Sequence, residues 1–206
     1  MKTIRYCLLM AFSHLALSAG AIYNVVIDTS ALTTGSTGYL YLQFNPGLSA
    51  GPASAAVTLF NIAAPGSFTG LPTITDGDVT GNLSTSLVLN NTGALNDSLN
   101  AVVFSTMMSF RVTVTTPPGI ATAGSLFGFG LLSNDQITPL LTSDPDGFLG
   151  TISFDGTNAF TTKTTSSAAS ISSTIPEPSY VIGVFLALIM ILWKRRLPIF
   201  TTSPRL

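Results

Sequence analysis

The stretch MSFRVTVT at 108–115 alternates without a break: Met108, Phe110, Val112 and Val114 fall on one side, and Ser109, Arg111, Thr113 and Thr115 on the other. A period of two is what a half-buried strand needs, because successive side chains of extended backbone point to opposite faces. The same period recurs in GYLYLQF, where Leu40, Leu42 and Phe44 oppose Tyr39, Tyr41 and Gln43. FLGTISFD repeats it, with Phe148, Ile152 and Phe154 expected inside. AIYNVVID, ASAAVTLFNI, STSLVL and SLFGFGLL also read as strands. Between them stand FNPG, APGSFTG, TDGDVTGN, TPPG and SDPDG, runs of the residues that build turns. No amphipathic helix interrupts the series. About seven to nine short strands with a turn at each end predict an all-β domain over 22–160, an antiparallel, jelly-roll-like β-sandwich, with closure as a barrel the alternative.

The two ends of the chain differ from this middle. Lys2 and Arg5 precede an apolar run from Tyr6 to Leu17, and Ser18, Ala19, Gly20 and Ala21 follow. A basic start, a short apolar centre and a small-residue close predict a signal peptide over 1–21. Its processing would engage a Sec translocon and a signal peptidase. The Ala19-Gly20-Ala21 site starts the mature chain at Ile22, and a cut after Ala19 is the rival. Cys7 and His14, the chain's sole cysteine and histidine, both lie in that segment. The exported part then has no disulfide and relies on packing.

At the other end Tyr180 to Trp193 carries no charge, and Lys194, Arg195 and Arg196 follow at once. As a helix at ~1.5 Å per residue the apolar stretch spans about 21 Å, short for a hydrocarbon core of roughly 30 Å. The basic triplet resists translocation and sets the cytoplasmic side. A short transmembrane helix with this stop predicts a hold at the membrane, the domain outside.

Pro176-Glu177-Pro178, the short apolar helix and the basic cluster together resemble the PEP-CTERM sorting tail of Gram-negative bacteria. The resemblance covers 176–196. It implies that an exosortase-type membrane protease cuts at the motif, and it associates the chain with exopolysaccharide and the extracellular matrix. The ectodomain, through YNVVIDTSAL and YLYLQFNPG, is similar to an uncharacterised subfamily of PEP-CTERM proteins, which brings no catalytic residues. Such tails usually stop after the basic residues. Here LPIFTTSPRL continues over 197–206, read as a cytoplasmic extension. Residues 161–175, TTKTTSSAASISSTI, are Ser/Thr-rich and read as a linker, with a last edge strand through NAFTTK as the other reading.

Residues 22–175 hold eight Asp against one Lys and one Arg, a net charge of −6. That balance opposes nucleic acid, which needs basic patches. Without His or Cys there is no Ser-His-Asp relay, no thiol nucleophile and no ordinary zinc set. Carboxylate chemistry remains. Asp76, Asp78, Asp144, Asp146 and Asp155 could supply a glycosidase pair, although each stands in a turn-like context where Asp serves local hydrogen bonds. Asp76, Asp78 and Asn82, or Asp144 and Asp146, offer hard oxygen donors for Ca²⁺, the one cofactor the sequence admits. Tyr39 and Tyr41 share a strand face and could stack on a sugar, or could lie under a loop as a second buried face. The residues alone leave three functions open. One is a non-enzymatic structural or binding protein of the matrix, the second a carbohydrate- or calcium-binding module, and the third an Asp-dependent hydrolase.

Overall fold

A computed structural model describes residues 21–47, 54–59, 74–115, 124–154 and 160–174, the side chains of 54–59 and of Phe154 excepted. Thirteen strands run through these residues: β1 (Ala21–Asp28), β2 (Thr37–Asn45), β3 (Ser54–Leu59), β4 (Ile74–Asp76), β5 (Val79–Asn82), β6 (Ser86–Asn90), β7 (Asp97–Val103), β8 (Met107–Thr115), β9 (Leu126–Leu132), β10 (Pro139–Leu140), β11 (Gly150–Phe154), β12 (Phe160–Thr164) and β13 (Ala169–Thr174). They make two antiparallel sheets. Sheet A has the order β13-β1-β8-β3-β6-β5, and sheet B the order β12-β11-β9-β2-β7-β4, with β10 added on β9.

The pairing is nested. β5 pairs with β6, β4 with β7, β3 with β8 and β2 with β9. A long double strand running from β2 to β9 has thus been folded over so that alternate pairs fall in opposite sheets. The alternating apolar residues supply the interior. Tyr23, Val25 and Ile27 of β1 and Phe110, Val112 and Val114 of β8 meet Leu40, Leu42 and Phe44 of β2 and Phe127, Phe129 and Leu131 of β9 in one buried cluster. Phe110 and Phe129 join the sheets through an edge-to-face contact with ring centroids 5.5 Å apart, the arrangement aromatic rings favour.

β7 inverts the usual pattern. Its inward side carries Ser98 and Asn100 beside Val102, all buried, while Leu99 and Ala101 face outward half-exposed. Asn100 Nδ2 donates to Ser98 Oγ at 2.9 Å and to the Leu40 carbonyl at 3.4 Å. Asn91 Nδ2 donates to Ser125 Oγ at 2.9 Å. Among the described residues no buried side-chain nitrogen or oxygen lacks a partner, which is what lets polar groups sit between the sheets.

Two expectations are corrected. Residues 161–174 are strand and turn in place of a linker: the other reading, a strand through NAFTTK, holds as β12, which closes sheet B against β11, and β13 closes sheet A against β1. Ser and Thr suit an edge strand, whose outer side stays in water, so a weakly apolar sequence here still forms sheet. Phe148 does not join the inter-sheet cluster. The chain turns at Gly147, where φ is 78°, and Leu149 enters the cluster instead. Phe148 is buried on the outer side of sheet B.

The chain divides after Thr174 into two compact parts. Residues 1–20, Asp155, the Pro176-Glu177-Pro178 motif, the apolar stretch 180–193, Lys194, Arg195, Arg196 and the extension 197–206 lie outside the described residues. Among the described residues no helix is long and apolar enough to cross a membrane.

Candidate functional site

The outer face of sheet B gathers most of the chemistry. Tyr41 sits at its centre, opposite Leu99 of β7 on one side and Gly130 of β9 on the other. β9 reads LFGFGLL, so its inward positions are Phe127, Phe129 and Leu131 and its outward positions include Gly128 and Gly130. A Cβ at Gly128 would overlap the Phe148 ring, and one at Gly130 would overlap the Gly147 carbonyl. The two glycines therefore open a slot that the 141–149 segment fills. Phe148 settles in it and stacks on Tyr41, with ring centroids 6.0 Å apart and planes 4° from parallel. Tyr41 is half-buried as a result.

The Tyr41 hydroxyl donates to Asp97 Oδ2 at 3.5 Å. Burial, and then the charges of Asp97 and Asp146, push its phenol up to about 12. It is protonated at neutral pH and serves as a donor. Asp97 is raised from its ordinary value, first by burial and then by the charge of Asp76, against the opposing pull of the Tyr41 hydrogen bond. Asp76 and Asp97 are register partners across β4 and β7. Two like charges at opposed positions destabilise each other.

Tyr39, two residues before Tyr41 on the same face, is held differently. Gln136 Nε2 donates to its hydroxyl at 3.0 Å. Gln136 is placed by a tight turn after β9. The Asp135 carboxylate accepts from the amides of Ile137 and Thr138 at 2.9 Å each and from the hydroxyls of Ser133 and Thr138. Those bonds hold the Asp135 carboxyl well below the usual carboxylate range. They also keep Gln136 in the left-handed region, at φ 64°.

The other acidic candidates are placed in local structure. Asp78 accepts from Asn90 Nδ2 at 3.0 Å and from Thr92 Oγ1 at 2.7 Å, which lowers its carboxyl. Asn82 Oδ1 accepts from the amides of Ser84 and Thr85 and from both hydroxyls, all within 3.2 Å. Asp76 Oδ1 accepts from the Gly77 amide at 2.8 Å, and Asp144 Oδ1 from the Asp146 amide at 3.0 Å. Asp76, Asp78 and Asn82 thus each spend side-chain oxygens on local hydrogen bonds. Among the described residues no group of three or more Asp, Glu, His or Cys could hold a metal ion.

Three residues of this face escaped the sequence reading. Phe148 could have been found from the outward glycines of FGFG, which mark a close approach. Gln136 and Asp97 carry no such signal, because their partners are far along the chain. What results is an electronegative, half-exposed face of phenol, amide and carboxylate groups. Such a face suits a neutral polyhydroxylated ligand better than an anion. No known family, curated protein or solved structure matches the chain.

Proposed function

We propose that the chain is an exported protein whose sandwich, in the nested pairing of a jelly roll, works outside the cell in a non-enzymatic structural or binding role, within or beside an exopolysaccharide matrix. In this reading residues 180–193 hold it at the inner membrane, Lys194, Arg195 and Arg196 set its topology, and an exosortase-type protease acts at Pro176-Glu177-Pro178. One observation carries the reading. All the described strands lie between Ala21 and Thr174, the first and last of them paired to each other, and the motif begins two residues later. A cut there costs the sandwich no strand. The two prolines disfavour helix and sheet through the motif, which keeps it extended for a protease.

The test is fractionation with one tag on the ectodomain and another at the C-terminus, in a host that carries an exosortase. The tags should separate in the wild type. Replacing 176–178 by Ala-Ala-Ala should leave export intact and keep both tags in the inner membrane. Replacing the basic triplet by Ser should scramble orientation. Tags that travel together in the wild type would reduce the tail to a plain anchor.

A second reading rests on Tyr39 and its bond to Gln136: this half-exposed phenol–amide pair is a contact for the polysaccharide itself. Tyr41, on the same face of β2, is stacked against Phe148. Tyr39→Ala should weaken retention on immobilised host exopolysaccharide at least fivefold without lowering the melting point appreciably. Equal retention would remove this reading.

A further inference from the structure

Among the described residues each sheet has two edges, and three of the four edge strands are poor templates for another strand. β4 is three residues long and ends in Asp76. β5 is four residues long and contains Gly81 at φ 83°. β12 carries Lys163. Short length, irregular backbone and charge are the usual means of blunting an edge. β13 has none of them. It is six residues long, ASISST, with no charge and no proline.

The groups it offers follow from its register. The Asp28 amide donates to the Ala168 carbonyl at 2.7 Å, next in line after the Ile27–Ala169 pair. Hydrogen-bonded pairs alternate along an antiparallel ladder, so Ser170, Ser172 and Thr174 direct their backbone groups to β1. Ala169, Ile171 and Ser173 direct theirs outward. The Ala169 amide is engaged by the Ser166 carbonyl at 3.3 Å. The outward set is then the amides of Ile171 and Ser173 and the carbonyls of Ala169 and Ile171, with the Ser173 carbonyl at the open end.

We propose that this edge docks a second copy of the same chain, β13 against β13 of the other copy, antiparallel about a two-fold axis at Ile171. The set is self-complementary about that axis. Each Ile171 amide donates to the other copy's Ile171 carbonyl, and each Ser173 amide to the other copy's Ala169 carbonyl. That makes four hydrogen bonds, with two donors and two acceptors matched from each side. It joins two six-stranded sheets into one continuous sheet, the isologous contact that closes a dimer. The outward-facing side chains, Ser170, Ser172 and Thr174, are exposed and uncharged, so no like charges oppose one another at the seam. The chain's own continuation is a poor occupant, because Pro176 and Pro178 lack amide donors where a tight hairpin would need them. The inference rests on the sandwich alone and holds whether or not the tail is cut.

The test uses the full chain in detergent, with Cys7→Ser so that introduced thiols stand alone. The wild type should sediment as a reversible dimer. Ser173→Pro removes an amide that β1 does not use, so circular dichroism should be unchanged while the dimer dissociation constant rises at least tenfold. A second arm reads register. Ser170 lies opposite Ser172 of the other copy, at a non-hydrogen-bonded pair with Cα atoms ~4.5 Å apart, within disulfide range. A mixture of Ser170→Cys and Ser172→Cys chains should cross-link at least fivefold more than either alone. A wild type that stays monomeric at millimolar concentration overturns the proposal. So does a Ser173→Pro dimer of unchanged affinity, and so do single variants that cross-link as well as the mixture.

Discussion

Asn96 is the side chain on which the polar seam of the sandwich turns, and removing it should be costly. It is fully buried. Its Oδ1 accepts from the Asp78 amide at 2.9 Å and the Gly93 amide at 3.2 Å. Its Nδ2 donates to the carbonyls of Phe44 at 3.0 Å and Gly93 at 2.9 Å. One side chain thus ties the end of β2 to the turn before β5 and the loop before β7. Asn96→Ala leaves two amides and two carbonyls without these partners. An unsatisfied buried polar group costs ~1–3 kcal/mol. Taking the amides in full, and the carbonyls as partly recovered by water, gives a loss of about 3–5 kcal/mol. For a domain of this size that lowers the melting point by roughly 6–20 °C. Asn82 is the control. Its Oδ1 also receives four hydrogen bonds, but at the surface, where water replaces them, so Asn82→Ala should cost less than ~1 kcal/mol. Asn96→Asp keeps both acceptor roles and buries a charge, so it should be relatively less destabilised at pH 4 than at pH 7. Denaturant unfolding of the purified chain measures all three. A cost below ~1 kcal/mol for Asn96→Ala would refute the view that burial, and not the number of bonds, sets the penalty.

Gly128→Ala should cost ~1–3 kcal/mol by overpacking against Phe148, and it should free the 141–149 segment for proteolysis. Asp97→Asn should stabilise the fold at pH 7: the raised carboxyl of Asp97 makes the folded state bind its proton more tightly, so wild-type stability falls as pH rises from the ordinary 3.8 through the folded value, and melts across pH 3–7 should lose part of that slope in the variant. Tyr41→Phe should flatten the alkaline arm likewise, since a phenol moved from 10.0 to about 12 loses stability across that interval. Millimolar calcium should leave the melt superimposable on that in chelator, because the oxygens of Asp78 and Asn82 are occupied; a rise of ~2.7 kcal/mol at a hundredfold excess over Kd would reveal a site. N-terminal sequencing of exported material should find Gly20 first: Ala21 pairs with Val114 in β1, so the cut after Ala19 preserves the strand that the cut after Ala21 shortens.

The strands that alternate apolar with polar residues were legible in the sequence, because a sheet with one wet face writes its register into the chain. AIYNVVID and MSFRVTVT coincide with β1 and β8 to within a residue. β7 was not legible, because the side facing the other sheet carries Ser98 and Asn100, and polar residues inside invert the signal. β12 was legible only as the other reading, the strand through NAFTTK, and β13 was hidden, for the opposite reason. An edge strand exposed on most sides has no need of an apolar row, so TTKTTSSAASISST reads as spacer. Of the candidate site, Tyr39 and Tyr41 on one face of β2 followed from period two. Their different surroundings did not, because Phe148 and Gln136 reach them across more than 90 residues, and the register that opposes Asp76 to Asp97 arises only when β4 pairs with β7.

The order of the strands bears on export. β1 leaves the synthetic machinery first, yet its neighbours are β8 and β13, and the Ile22–Thr174 pair spans 152 residues. β2 waits similarly for β7 and β9. Contacts of such high sequence separation form slowly, because loop-closure entropy is lost before the pairing gains anything. Sheet A therefore cannot close until the last strand is available, immediately before the Pro-Glu-Pro motif. Under the export reading, this order delays closure of sheet A until the end of the chain has been threaded. In that reading the end is held at the membrane by a segment too short for a comfortable span. Moving β13 to precede β1 by circular permutation would let the β1–β13 pair form early. Such a permuted ectodomain behind the same signal should fold at least as stably and be exported less efficiently, with precursor accumulating in the cytoplasm. Export at the wild-type rate would show that strand order places no constraint on passage.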